Sequence, residues 1–177
     1  MNSLKFFSFL LCLSLFACTG TTEVKRDNTT VATASADAKP EILTSFDQLN
    51  DRYFQVKDSL VIINFWATWC KPCVRELPDF NEAALKYKGQ KVKFVFVSLD
   101  FLDTMEKSVV PFIKSNPFNG EVVVLADQDV NTWAINIDNN WDGAIPVTLA
   151  IKNGKKSTKM GAFQNYEELN NFIQQNI

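Results

Sequence analysis

The chain has 177 residues, 46% of them hydrophobic and 21% charged, enough for one globular domain with its own core. Its formal net charge is -2 and it has no basic run, which speaks against a nucleic-acid partner. It has no histidine, which removes Ser-His and Cys-His nucleophile pairs and, with only four scattered cysteines, most zinc sites.

In chain order, residues 1–5 carry the positive charge of Lys5, and residues 6–17 are apolar apart from Ser8, Cys12 and Ser14. That is the length of a signal-peptide core and too short to cross a ~30 Å hydrocarbon layer as a helix. The run ends Leu15-Phe16-Ala17-Cys18, which resembles the bacterial lipoprotein signal, where the cysteine becomes the lipidated first residue of the mature chain. Phe16 is bulkier than the usual residue there. An ordinary signal peptide with an incidental cysteine, or an uncleaved anchor, is the alternative. The lipoprotein reading divides the chain into a signal at 1–18, a linker at 19–40 and a domain at 41–177. It implies an exported protein, lipid-anchored at Cys18 to a bacterial membrane, with its domain in the periplasm or extracytoplasmic space. The linker is rich in Thr, Ala, Asp and Lys and has no aromatics, so it cannot bury a core. As a flexible coil it would reach on the order of 25 Å. The domain is then left with Cys70 and Cys73, too close together to staple much chain and more plausibly chemical than structural.

The continuous apolar run Leu-Val-Ile-Ile-Asn-Phe-Trp at 60–66 predicts a strand buried on both faces. A helix follows over 72–88, stopped by Gly89, then a second buried strand over 92–99. Residues 103–115 are helical in character, limited by Pro111; 121–125 predict a short strand and 127–135 a short helix. Segments 146–151 and 156–163 flank Asn153-Gly154, a strong hairpin signal, and 166–175 close the chain as an amphipathic helix. The fold class expected is α/β, a central mixed sheet flanked by helices. The cysteine pair falls where a buried strand turns into a helix, the place such sheets put their sites.

Cys70-Lys71-Pro72-Cys73 suits a dithiol catalyst, which needs one exposed thiolate and a second thiol within reach. Cys70 would sit near the helix N-cap and face solvent, its thiolate favoured by free backbone N–H groups and the helix dipole. Lys71 adds positive charge, and Pro72 fits the first turn, where its missing N–H costs nothing. Cys73 lies one turn in, more buried. A metal knuckle shares the Cys-X-X-Cys spacing but lacks two further ligands here. No cofactor is implied.

The run Phe65-Trp66-Ala67-Thr68-Trp69-Cys70-Lys71-Pro72-Cys73 resembles the active-site signature of the thioredoxin superfamily, most closely its membrane-anchored TlpA/ResA-like branch. Asn64 stands where cytoplasmic thioredoxins carry a buried Asp. Glu76 matches the acidic residue this branch keeps below its cysteines, and Pro78 its helix-kinking proline. Gly143-Ala144-Ile145-Pro146-Val147-Thr148 resembles the loop whose cis-proline faces the cysteines. Residues 92–115 resemble the strand-helix insertion of the branch, so the resemblance implies a thioredoxin fold with a TlpA-like insertion from about residue 41 to the end.

Glu76 shares a helix face with Cys73 and, partly buried, would have a raised pKa and exchange protons with it. The alternative is an exposed glutamate pairing with a lysine. Pro146 would be cis and expose backbone to a substrate strand, or else be a trans proline starting an edge strand. Ile145 before it goes with reducing members of the superfamily. Trp69 is expected at the surface beside the site, Trp66 in the core, and Trp133 and Trp141 in packing roles.

The function expected is extracytoplasmic thiol-disulfide oxidoreduction, reducing protein disulfides, apocytochrome c among the candidates, with a membrane thiol electron donor re-reducing the pair. The alternatives are a disulfide oxidase or isomerase, and a non-catalytic lipoprotein using the fold only to bind. A peroxidase would need an arginine and threonine set around one cysteine, which Arg75 alone does not make.

Overall fold

The computed structural model describes residues 39–177. The expectations for the signal segment, the lipid site at Cys18 and nearly all of the linker lie outside those residues. The described elements begin with strand β1 (Glu41–Leu43), helix α1 (Phe46–Leu49, continued by a π-helical turn over Asn50–Phe54) and strand β2 (Leu60–Trp66). Helix α2 (Lys71–Lys86), strand β3 (Val92–Ser98) and helix α3 (Val110–Ser115) follow, α3 being preceded by a 3-10 turn and a π-turn. Strand β4 (Glu121–Leu125), helix α4 (Val130–Trp133), the hairpin β5 (Val147–Lys152) and β6 (Lys155–Met160), and helix α5 (Tyr166–Asn176) complete the order.

The strands make one mixed sheet in the order β1-β4-β3-β2-β5-β6. The first four run parallel; β5 is antiparallel to β2, and β6 to β5. β2 is fully buried because it is central and covered on both faces. Val61, Ile63 and Phe65 join one core cluster, where the helices α1 and α4 pack, with Phe65 against Trp133 and Trp141. Leu60, Ile62 and Trp66 join the other, with Leu77 and Phe80 of α2 and Leu169 and Ile173 of α5. Each large apolar side chain removed from water there contributes roughly 1.5–3 kcal/mol. Asn64 is the exception in β2, a buried polar residue on the α2 side.

Several boundaries differ from expectation. Residues 102–115 are helical in character as expected, as consecutive 3-10, π and α turns, but Pro111 does not limit them: it stands in the first turn of the α stretch that begins at Val110. The helix expected over 127–135 is a single α-turn plus a 3-10 turn at Ala134–Asn136. The last strand ends at Met160, because Gly161 at φ 74 turns the chain away. The hairpin turn is Asn153-Gly154 as expected, both residues at positive φ. β1 and α1 were not foreseen.

Candidate active site

The C-terminal end of β2 feeds α2 through a tight turn, closed by the Cys70 N–H donating to the Ala67 carbonyl at 3.1 Å. Cys70 is the N-cap of α2 and Lys71 and Pro72 open its first turn. Cys70 and Cys73 are joined by a disulfide with their Cα atoms 5.3 Å apart. The Cys73 N–H donates to Cys70 Sγ at 3.3 Å, so a helix-terminal donor that would otherwise be orphaned points at that sulfur.

Cys70 does not face solvent: it is 5% exposed, and Cys73 is 0%. The cover comes from the opposite loop, whose Ile145 carbonyl oxygen lies 3.7 Å from Cys70 Sγ. The Ile145–Pro146 bond is cis. Gly143, at φ 88, begins this loop against Val130, where a Cβ would lie 2.8 Å from a Val130 methyl. Trp69 is 61% exposed at the rim, whereas Trp66 is wholly buried, as are Trp133 and Trp141 nearly so. Lys71 is exposed.

Beneath the disulfide lies a buried polar group. Glu76, three residues after Cys73 and so on the same helix face, is buried more deeply than expected, at 3% exposed. Its Oε1 accepts from Asn64 Nδ2 at 3.0 Å and its Oε2 from the Phe163 N–H at 2.9 Å. Asn64 Nδ2 also donates to Thr148 Oγ1 at 3.1 Å, the two residues facing each other in the β2–β5 register. Burial pushes the Glu76 carboxyl up to about 7 against the opposing pull of the Phe163 and Asn64 donors. No lysine or arginine pairs with it among the described residues. A carboxyl that titrates near neutral pH can take or give a proton at small cost, which is what a proton relay beside a thiol requires.

Thus the structure gathers Cys70, Cys73, Glu76, Trp69, Ile145, Pro146, Lys71 and Pro72 around one point. It adds Thr148 and the Phe163 backbone, which no local sequence signal assigns; only the need of a buried Asn64 for partners hinted at the first. Among the described residues, no group of His, Cys, Asp and Glu could hold a metal ion. No helix among them is long and apolar enough to cross a membrane.

The AhpC/TSA family matches residues 36–155. A thiol-disulfide oxidoreductase ResA from Geobacillus kaustophilus is 32% identical over 148 residues, covering 82% of this chain and 79% of the relative. One from Bacillus cereus is also 32% identical, over 67% of this chain but only 64% of its own length. Among solved structures, a Chlorobium tepidum protein assigned as thiol:disulfide interchange protein DsbE superposes with a TM-score of 0.55 at 26% identity, covering 72% of this chain and 83% of that one. StoA from Bacillus subtilis does so with a TM-score of 0.51 at 25% identity, covering 67% and 84%. The chain belongs to the AhpC/TSA family, within the thioredoxin superfamily, and in it to the thiol-disulfide oxidoreductases of the ResA kind.

Proposed function

We propose that the chain is an extracytoplasmic thiol-disulfide oxidoreductase that reduces protein disulfides, tethered to a bacterial membrane through Cys18. The observation that carries this reading is the Cys70–Cys73 disulfide at the start of α2, set against Ile145–Pro146 with the buried Glu76 below. In the reduced protein, the Cys70 thiolate attacks one sulfur of the substrate disulfide. A mixed disulfide forms and the first substrate sulfur leaves as a thiolate, which takes a proton from solvent. Cys73 gives its proton to Glu76 and attacks Cys70 Sγ. The second substrate sulfur leaves as a thiolate, the proton held by Glu76 balances it as it becomes a thiol, and the Cys70–Cys73 disulfide closes. The substrate gains two electrons, the pair loses two, and a membrane dithiol donor must return them. Trp69 and the Ile145–Pro146 loop frame the approach of the substrate. Protein disulfides are the substrate class this geometry suits; apocytochrome c is one candidate within it. Retention of both cysteines supports catalysis over a binding-only role.

The test is the reduction potential of the Cys70–Cys73 pair in the full chain, equilibrated against glutathione or dithiothreitol. A value near about -270 mV, that of thioredoxin, is expected; one near about -120 mV, that of a strong oxidant, would overturn the reductase direction in favour of disulfide donation.

A further inference from the structure

Asp100 follows β3 and is 1% exposed, yet it pairs with no cation among the described residues. A buried carboxyl persists only where hydrogen bonds satisfy it. Three donors do so here, and two come from one residue. The Thr68 N–H donates to Asp100 Oδ2 at 2.9 Å and the Thr68 hydroxyl to Oδ1 at 2.6 Å. The Ser98 hydroxyl braces Oδ2 at 2.8 Å, and the Asp100 N–H donates back to Ser98 Oγ at 3.1 Å. Immediately before these contacts, the Leu99 N–H bonds the Trp66 carbonyl at 2.8 Å, so β3 is fastened to the end of β2 right up to the turn.

Thr68 is two residues ahead of Cys70, inside the turn that the Cys70 N–H closes on Ala67. With both of its donors fixed on one carboxylate, that turn has little freedom.

We propose that Asp100 is a positioning residue for the redox pair, acting through a two-point hold on Thr68 that keeps Cys70 Sγ over the free N–H groups of α2. The carboxylate touches neither cysteine. Its effect passes through the Thr68 hydroxyl and N–H to the 67–70 turn. The proposal rests on Cys70 being the attacking sulfur, and it is read by chemistry that does not require the reductase function.

The experiment follows alkylation of the fully reduced chain by iodoacetamide across pH, with the rate of attack on 5,5'-dithiobis(2-nitrobenzoate) as a second readout. Thr68→Ala keeps the Asp100 charge and removes one bond. It is expected to move the Cys70 alkylation midpoint to higher pH and to slow attack at pH 7 by roughly five- to tenfold, the scale of one hydrogen bond. Thr68→Ser keeps the hydroxyl and is expected to restore both within about twofold. Asp100→Ala removes both acceptors, and the double variant Asp100→Ala/Thr68→Ala is expected to be no slower than the slower single, because the two act as one unit. A midpoint and attack rate unchanged in Thr68→Ala, with only the melting temperature lowered, would overturn the proposal and leave Asp100 a structural tie. Failure of Thr68→Ser to rescue would overturn it too. If the wild type alkylates normally at Cys70 but reduces no protein disulfide, the proposed function fails while the positioning role stands.

Discussion

Two glutamates, one in a strand of the sheet and one in the helix α2 packed on it, have opposite fates. Glu121 starts β4, at the end of the parallel strands away from the cysteines, and meets Arg52 of the α1 segment and Lys93 of β3. Arg52 also reaches Glu41 of β1, so the cluster ties β1, β3, β4 and the α1 segment together. Burial alone would raise the Glu121 carboxyl, but Lys93 and Arg52 hold it below its ordinary value. Glu76 sits under the disulfide with neutral donors only and is pushed up to about 7. Stability would be served by giving Glu76 a cation, as Glu121 has two. The fold leaves it without a paired one, Lys159 pulling on it only at a distance, at the place where a thiol must lose a proton. The difference separates a charge kept for structure from one kept for chemistry.

The largest effect expected is at the cysteines that Glu76 serves. Cys70→Ser and Cys73→Ser each lower disulfide turnover by at least ~10³-fold, the scale on which loss of a nucleophile acts. They differ in kind: Cys73→Ser accumulates a mixed disulfide through Cys70 on a non-reducing gel, and Cys70→Ser does not. Next comes the far face of the sheet, which carries packing without chemistry. Trp133 stacks on Phe46 with ring centroids 5.2 Å apart and is 2% exposed. Trp133→Ala is expected to cost about 3–5 kcal/mol in denaturant unfolding while the reduction potential of the folded protein stays at the wild-type value.

Glu76 itself gives a pH signature of intermediate size. In the oxidised protein, the folded state keeps the Glu76 proton to about pH 7, whereas the unfolded chain releases it near 4.5. Between those values the folded state binds more protons, so stability is greatest below the lower one, falls as pH rises and levels off above the upper. The fall attributable to Glu76 is about 3 kcal/mol, and Glu76→Gln abolishes it while slowing turnover at pH 7 by roughly 10²-fold. Chemical unfolding of both oxidised proteins across pH 4 to 8 checks the first part. The smallest effect is at the compensated end. Arg52 is 38% exposed, so Arg52→Ala is expected to cost no more than about 1 kcal/mol, less in high salt, with turnover unchanged.

How much of this was readable beforehand depends on where the partners lie in the chain. β2, α2, β3 and the hairpin follow local pattern, and the cysteines, the Trp69 exposure and the site of Glu76 go with them. β1 has only three residues, and its pairing partner β4 is remote, Glu41 facing Val123. α1 has only four residues before it passes into a π-turn, yet Phe46, Leu49 and Tyr53 keep the i, i+3, i+7 spacing of a helix, so this element was open to a sequence reading. The cover over Cys70 comes from Ile145 and could not be seen from the local cysteine motif, which suggested exposure. Likewise the acceptors and donors around Glu76 come from β2 and from the turn after β6, and Asp100 after β3 looked like any polar residue ending a strand.

The most direct measurement is a titration of the glutamate carboxyls in the oxidised protein by carbon-13 NMR, with the Glu76 signal identified by its loss in Glu76→Gln. The account predicts that Glu76 titrates near 7, while Glu121 titrates below 4.5. A Glu76 midpoint at the ordinary 4.5 would contradict it, because the carboxylate would then be too weak a base to take and hold the Cys73 proton near neutral pH.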